Sequence, residues 1–192
     1  GGSVTYGGGI YINSGATVNL YGGTIKGNAA YRSGGGVYCE GTMNMYGGVI
    51  SNNSDSYNSS ANQYNYGGGG VAVLGGGKFT MYGGEIKDNT SKNGGAFYLR
   101  NGTINIYDGS VSGNTASAGG GVVYAIRGNF YLYGGTLSNN SANNAGGLYA
   151  TYANGYGGHL HIYGGVITGN RSTGMETAAG AAQYESSSVK GT

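Results

Sequence analysis

Apolar residues recur in fixed columns along this chain. A Tyr followed by a Gly pair or near-pair occurs six times, at intervals of 25, 36, 25, 26 and 30 residues. Relative to this Tyr, the positions three before and one before are always apolar, and the position between them is mostly polar. This period of two predicts a strand with one buried face. The two apolar columns are Val18, Met43, Phe79, Ile104, Phe130 and Leu160, and then Leu20, Met45, Met81, Ile106, Leu132 and Ile162.

Two further strands are predicted in each copy. One follows each Gly cluster, as in "GIYI" at 9–12 and "GAFY" at 95–98. The other is carried by segments such as "TIKGN", whose apolar residue lies four positions after the Tyr. Three short strands in about 25 residues, separated by Gly, Asn and Ser turns, predict one rung of a right-handed parallel β-helix. The third strand contributes the column Ile25, Ile50, Ile86, Val111, Leu137 and Ile167.

The predicted fold is an all-β solenoid of six clear rungs plus eroded terminal rungs. The repeat domain covers 1–175, with insertions near 54–66 and 151–158, and 176–192 is a terminal eroded rung or polar tail. A β-sandwich or barrel would also show short strands with turns, but neither requires identical positions to recur at a fixed interval. A helical solenoid is disfavoured by the Gly content, because Gly destabilises helices.

An Asn lies seven positions after every Tyr of the repeat. An inward Asn that stacks on the Asn of the next rung can pass amide hydrogen bonds along the axis and satisfy backbone groups of a buried turn. We therefore predict a structural Asn ladder rather than a reactive site. Its members are Asn28, Asn53, Asn89, Asn114, Asn140 and Asn170.

The Tyr column is predicted to point outward, because it lies one position beyond an inward residue. Residues stacked about 4.8 Å apart would form an aromatic strip. Such a strip either stabilises the parallel sheet or binds sugar rings or a neighbouring solenoid. The strip consists of Tyr21, Tyr46, Tyr82, Tyr107, Tyr133 and Tyr163, and a second, broken strip is predicted through Tyr11, Tyr38, Phe97 and Tyr149.

Composition narrows the class of protein. Gly provides 46 of 192 residues, and Pro and Trp are absent. Such a composition is typical of disorder, but strict inward columns favour stacked rungs, in which each inward residue is covered above and below. The net charge is only +2, with nine basic residues scattered along the chain, so a nucleic-acid-binding surface is not predicted. No apolar run approaches the length of a membrane span.

The chain opens with "GGSVTYGGG", without a start Met or signal peptide, in what resembles an incomplete rung. We expect a processed product or a segment of a longer protein. The single cysteine, Cys39, is predicted at an inward position shared with Ile12, Val73 and Tyr98. A buried small hydrophobe is the simpler interpretation, and a reactive thiol or interchain bridge is the alternative.

The segment "VSGNTASAGGGVVY" at 111–124 resembles the repeat of polymorphic outer membrane proteins, whose signature joins F-x-x-N to a following GGA[I/L/V]. "GGAF" at 94–97 is the closest copy of the second half, whereas the aromatic residue of the first half is aliphatic in every copy. The resemblance extends from about Gly7 to Asn170. It implies a right-handed parallel β-helix of the kind found in secreted adhesins and autotransporter passengers, and it implies no ligand or catalytic residue.

Polysaccharide lyases and hydrolases also use parallel β-helices, and their sites need clustered carboxylates. Glu85 and Asp108 are the best candidate pair, on adjacent rungs and within about 8 Å, although an exposed charged turn is the simpler explanation and the one that we favour. His159 and His161 lie on one face and could ligate a metal, but no third ligand is evident. We therefore predict neither an enzyme nor a cofactor.

The predicted function is that of an extracellular or cell-surface β-solenoid with a structural or adhesive role. It would be a subunit of a filament stacked end to end or a segment of a larger surface adhesin. Its expected partners are copies of itself or adjoining repeats at the solenoid ends, with glycans as a further candidate. The alternative is a polysaccharide-binding or polysaccharide-cleaving module that uses the Tyr strip as a platform and Glu85 with Asp108 as acids.

Overall fold

The computed structural model describes residues 4–56, 66–153 and 155–174, which form a parallel β-solenoid. Its strands are numbered in chain order. The first sheet contains β1 (Val4–Tyr6), β5 (Ala29–Ser33), β9 (Ser54–Asp55), β13 (Thr90–Asn93), β16 (Thr115–Gly119), β19 (Ser141–Ala142) and β24 (Arg171–Ser172). The third sheet contains β4 (Thr24–Lys26), β8 (Val49–Ser51), β12 (Glu85–Lys87), β15 (Ser110–Ser112), β18 (Thr136–Ser138) and β23 (Val166–Thr168).

The second sheet has two strand segments per rung. They are β2 (Ile10–Ile12) with β3 (Thr17–Leu20), β6 (Val37–Cys39) with β7 (Thr42–Met45), β10 (Val71–Leu74) with β11 (Lys78–Met81), and β20 (Leu148–Ala150) with β22 (Tyr156–Ile162). In β14 (Phe97–Ile106) and β17 (Val123–Leu132) the two segments are continuous. The short β21 (Tyr152–Ala153) pairs antiparallel with β22.

Every rung-forming strand pairs in parallel with its equivalent one rung away, as Phe79 does with Met43 on one side and Ile104 on the other. The result is a solenoid of about six turns with about 26 residues per rung, and the predicted fold class is confirmed. Among the described residues there is no helix that could cross a membrane.

The sequence predicted three strands per rung, and this is wrong because the segment after each ladder Asn forms a fourth. In that segment Ser91 pairs with Ala116, and Ala116 pairs with Ala142. All three are at most 4% exposed, so the inward positions are occupied by small residues. Without an aliphatic alternation the strand has no hydrophobic signature, and backbone pairing alone reveals it.

The core is one continuous cluster of stacked aliphatic, Met and Phe side chains. The apolar columns of the second and third sheets face inward as predicted, and Met43, Phe79, Ile104 and Phe130 are fully buried. Each side chain is covered by its equivalents in neighbouring rungs, which is how a narrow rung excludes water with little apolar mass.

In the second sheet, the predicted positions of Phe97 and Tyr98 are wrong by one residue. Phe97 pairs with Val71 and lies in the core, and Tyr98 pairs with Ala72 on the outer face. Leu99 therefore shares the inward column of Cys39, and Tyr98 replaces Phe97 in the second aromatic strip. The error arose because Ala96 and Val122 replace the last Gly of the cluster, and a slip of one residue exchanges the two faces of a strand.

Three corners of the solenoid use left-handed backbone, and two of them do so in every rung. The residue before each ladder Asn has φ between +53° and +68° and is always Gly, Asn or Asp, which tolerate this conformation best. The second residue after each repeat Tyr is a Gly with φ between +81° and +103°. The first group is Gly27, Asn52, Asp88, Gly113, Asn139 and Gly169, and the second is Gly23, Gly48, Gly84, Gly109, Gly135 and Gly165.

The predicted insertions and tail are only partly described. Ser54 and Asp55 belong to β9 and thus to the rung, while 57–65 of the first predicted insertion lie outside the described residues. The second predicted insertion contributes β21 and the start of β22. The predicted terminal rung or tail at 176–192 lies outside the described residues.

The left-handed corner gives a test that does not disturb the core, because Asn139 is exposed. We expect Asn139→Val to lower the free energy of unfolding by about 1–2 kcal/mol, since a β-branched residue is strained at φ +55°, whereas Asn139→Gly is tolerated. The neighbouring Ser138→Val, in strand conformation, serves as the control and should change stability by less than about 0.5 kcal/mol. Equal denaturation midpoints for the Val and Gly variants at residue 139 would contradict this account.

Candidate functional sites

The Asn ladder follows the corner between the third and first sheets. Each Asn Oδ1 after the first accepts two hydrogen bonds of 2.8–3.0 Å from the preceding ladder Asn, one from its backbone N–H and one from its Nδ2. From the second rung of the ladder onward, each Nδ2 also donates to a backbone carbonyl one rung back, at 2.8–3.0 Å. The accepting carbonyls belong to Ile25, Ile50, Ile86, Val111 and Leu137.

Burial shows why these bonds matter. Asn53, Asn89 and Asn114 are fully buried, and Asn140 is nearly so. An unpaired buried donor or acceptor costs about 1–3 kcal/mol, so the ladder stabilises a corner that water cannot reach. The predicted ladder is therefore present, with a structural role.

The Tyr column forms a second ladder on the outer face. Successive rings lie 4.7–5.3 Å apart between centroids, with interplanar angles of 4–11°. The four internal residues remain 40–46% exposed, and the terminal Tyr21 and Tyr163 are 73% and 63% exposed. Because the internal rings cover each other's faces, they present edges and hydroxyls to solvent. A sugar ring could lie flat only on the free faces of the two terminal rings, and glycan binding by this strip stays a prediction.

Additional rings widen the ladder at its C-terminal end. The Tyr131 and His161 rings stack with centroids 4.6 Å apart. Tyr131 also lies 6.1 Å from Tyr133, and His161 lies 6.4 Å from Tyr163. These four rings form a two-by-two aromatic terrace on the outer face, at the C-terminal ends of β17 and β22.

The middle of the second aromatic strip is covered, whereas Tyr11 at its N-terminal end is half exposed. Tyr38, Tyr98 and Tyr124 are at most 6% exposed and form a small cluster with Ala72 and Ile126. Tyr98 and Tyr124 stack with centroids 6.2 Å apart. This strip therefore contributes packing on the outside of the second sheet.

Cys39 is fully buried among core residues. Burial raises the pKa of its thiol to about 11, although backbone hydrogen bonding at Gly41, Lys78 and Met43 opposes part of this change. As a thiol, its Sγ donates to the carbonyls of Gly41 and Lys78. At neutral pH the residue is therefore a protonated, inaccessible thiol, as the simpler interpretation of the sequence expects.

The candidate acids have separate partners. The Glu85 carboxylate pairs with the Lys87 ammonium, and Asp108 Oδ1 accepts a hydrogen bond of 2.7 Å from the Gly109 N–H. The His159 and His161 rings lie 6.4 Å apart. No cluster of three metal-ligating side chains occurs among the described residues.

Asp55 is a buried carboxylate that sequence reasoning missed. Its backbone pairs with Ala30, and the pairing of Ser54 with Thr90 places Ser91 beside it on the other side. Both carboxylate oxygens are shielded from solvent, and neither accepts a hydrogen bond within the described part of the chain. Burial raises the pKa of Asp55 to about 7, and the nearby Ser91 hydroxyl and the backbone N–H of Asp55 lower it only in part, because neither forms a hydrogen bond of normal geometry with the carboxylate.

Sequence reasoning also missed a groove of about 630 Å³ on the outer face of the second sheet, beside the join between the two halves of β14 and β17. The hairpin of β21 and β22 forms one wall. The groove is lined by Gly76, Asn101, Gly102, Thr103, Arg127, Gly128, Asn129, Tyr152, Gly155, Tyr156, Gly157 and His159. The insertion at 151–158 was visible in the sequence, but its position over the preceding rung was not.

We expect Asn114→Ala to destabilise the protein by about 3–5 kcal/mol. The replacement leaves the buried amide groups of Asn89 and the Ile86 carbonyl without their partner, and each unsatisfied group costs about 1–3 kcal/mol. Asn170→Ala at the partly exposed end of the ladder is the control and should cost clearly less. Chemical denaturation measures both, and equal losses would argue against the buried ladder as the main stabilising feature.

Asp55 predicts an unusual pH dependence. Its folded-state pKa of about 7 exceeds the ordinary value of 3.8, so ionisation opposes folding. Stability should be greatest near pH 4, fall by up to about 4 kcal/mol as the pH rises to about 7, and then level off. Asp55→Ala, which matches Ala30 in the same column, should raise the melting temperature at pH 8 and flatten the profile between pH 4 and 7. The exposed Asp108→Ala is the control and should retain the dependence; a flat wild-type profile would refute the prediction.

Comparisons of the chain with models of protein families, with curated proteins and with solved structures find no match. The functional proposal therefore depends on the geometry of this chain.

Proposed function

We propose that the chain is an extracellular structural or adhesive element whose end faces join further rungs of the same geometry. The observation that carries the proposal is the constant register of the Asn and Tyr ladders through six successive rungs. A surface repeated in this way suits axial continuation, because each added rung makes the same contacts as the one before it.

The two ends of the Asn ladder are complementary. Within the described residues, Asn28 Oδ1 accepts no hydrogen bond, whereas every later ladder oxygen accepts two. At the other end, Asn170 Nδ2 donates to the Leu137 carbonyl, but the further bond to a following ladder Asn is missing from the described residues. Donors at one end and an acceptor at the other favour head-to-tail stacking.

The strand edges and the terminal aromatic rings are also complementary at the two ends of the solenoid. β4 and β23 lie at opposite ends of the third sheet, and an unpaired strand edge favours addition of another strand. Tyr21 and Tyr163 each present one ring face that has no stacking partner among the described residues. A second copy of the chain would satisfy all three features at once, and adjoining repeats of a longer chain are the alternative.

The extracellular setting is supported by the resemblance of 111–124 to repeats of polymorphic outer membrane proteins. The 16 charged residues and the high content of Tyr, Gly and Asn are compatible with such a surface rod. Labelling of intact cells with an antibody against the chain tests this setting, and signal that requires permeabilised cells would contradict it.

Electron microscopy and light scattering test the assembly. We expect the purified chain to form uniform fibres with an axial repeat of about 33 Å, corresponding to seven rungs at about 4.8 Å each. A monodisperse monomer at high concentration would contradict self-assembly.

An edge variant makes the test specific to β4. Gly23 O and the Gly27 N–H bond to β8, so the backbone groups of the alternate residues Thr24 and Lys26 face the open edge. We expect Lys26→Pro to prevent fibre growth, because it removes an edge donor without touching the pairing with β8. Lys26→Ala removes the same charge but keeps the donor, and it should still assemble.

A further inference from the structure

The floor of the groove consists of backbone. Gly102 pairs with Gly128, and Gly128 pairs with Gly158. A Cβ atom on Gly128 would lie 2.3 Å from the Gly102 carbonyl oxygen, so side chains are excluded there. These Gly residues present only backbone to the groove, so a ligand can approach the sheet closely there.

The groove holds an uncompensated positive charge. The Arg127 guanidinium carbon lies 4.1 Å from the centre of the Tyr156 ring, and this cation–π contact orients it. Arg127 has no acidic partner among the described residues, and none of the lining residues is acidic. A planar guanidinium without a counter-ion fits a carboxylate by two parallel hydrogen bonds.

Polar side chains line the same groove as this cation. Asn101, Thr103 and Asn129 line the same groove, and their side chains make no hydrogen bond to other described residues. They therefore offer free amide and hydroxyl groups, which can both donate and accept. A ligand with several hydroxyl groups would use them.

The wall of the groove is aromatic and exposed. Tyr152 and Tyr156 are 73% and 60% exposed on the hairpin. No aliphatic side chain lines the groove, so it lacks the apolar pockets that receive peptide side chains. Its volume of about 630 Å³ falls within the usual range for small-molecule sites.

We propose that this groove binds a carboxylated sugar residue, a hexuronate, within an acidic polysaccharide. Arg127 binds the carboxylate, Asn101 and Asn129 bind ring hydroxyls, and Tyr152 packs against the apolar face of the sugar. The inference deepens the adhesive part of the proposed function and rests on it for the extracellular setting.

We expect a polymer rather than a single sugar, because the groove continues into the aromatic terrace. His159 lies at the edge of the groove, and its ring is 6.4 Å from His161 in the aromatic terrace. Neighbouring sugars of the same chain would extend from Arg127 across the terrace and contact the ring edges and hydroxyls of Tyr131 and Tyr133, whose faces are stacked on neighbouring rings. Longer oligosaccharides should therefore bind more tightly than monosaccharides.

The test is titration of the full chain, monitored by calorimetry, with tetrasaccharides that contain glucuronate, galacturonate or mannuronate. Each is compared with the same sugar after reduction of its carboxylates to alcohols. We expect at least one acidic tetrasaccharide to bind with a Kd of 1 mM or tighter, and its reduced form to bind at least tenfold more weakly. Binding should weaken as salt is raised, because the charge pair is open to solvent.

Matched variants locate the site. Arg127→Gln should weaken binding at least tenfold, and Arg127→Lys should be intermediate because it keeps the charge but loses the planar fork. Tyr152→Ala should weaken binding severalfold. Arg171→Gln removes the same charge from an exposed residue of the first sheet, and it should bind as the unmodified chain does. Circular dichroism melting checks that each variant is folded.

Four results would overturn the inference. The first is that no acidic tetrasaccharide binds at a sugar concentration 5–10 times that Kd, roughly 5–10 mM, and the second is that the reduced sugars bind equally well. The third is that Arg127→Gln has no effect on binding, and the fourth is that acetate or an acidic peptide binds as well as the sugar does. The assembly variant keeps the two proposals separate. Lys26→Pro should bind the sugar normally while failing to form fibres. Fibres without sugar binding would reject the groove alone, and sugar binding without fibres would reject self-assembly alone.

Discussion

The structure depends on satisfying the buried polar groups of one corner in every rung. The inward residues beside the Asn column are small, so the rung is narrow and its corner lies inside the solenoid. The polar backbone groups of this corner therefore need hydrogen-bond partners within the protein. The ladder amides solve the problem because each one bonds to the next Asn and to a carbonyl one rung back. The bonds reach only to adjacent rungs, so the Asn must recur once per rung, which fixes the register of all three sheets.

The regular surface features follow from this constant register. Once the rungs are stacked in parallel, a Tyr at one position per rung becomes a stacked column, and the corner Gly residues allow the close approach of successive turns. Features that occur in only one rung, such as a groove or a buried carboxylate, lie where the repeat is interrupted. The hairpin at Tyr152–Ala153 and Tyr156 creates a groove beside Arg127, and Asp55 replaces a small inward residue just before the first insertion.

The parts of the structure that repeat could be predicted from the sequence. Apolar alternation identified the inward columns, and invariant spacing identified the Asn ladder. The fourth strand was missed because Ala30, Ser91 and Ala116 give no hydrophobic alternation. Phe97 was assigned to the wrong face because Ala96 takes the place of a Gly and hides where the strand begins. The groove was missed because it forms only when the hairpin is placed against Arg127 of the preceding rung, and local sequence does not specify that contact.

Native-state hydrogen exchange tests the central claim most directly. The backbone N–H groups of Asn89 and Asn114 donate to buried ladder oxygens at 2.9–3.0 Å, so the account predicts that they exchange only through global unfolding. Their opening free energies should equal those of the core amides of Ile86 and Ile104. The exposed turn amide of Ser14 should exchange many orders of magnitude faster. Exchange of the ladder amides through local opening, at rates near that of Ser14, would contradict the account.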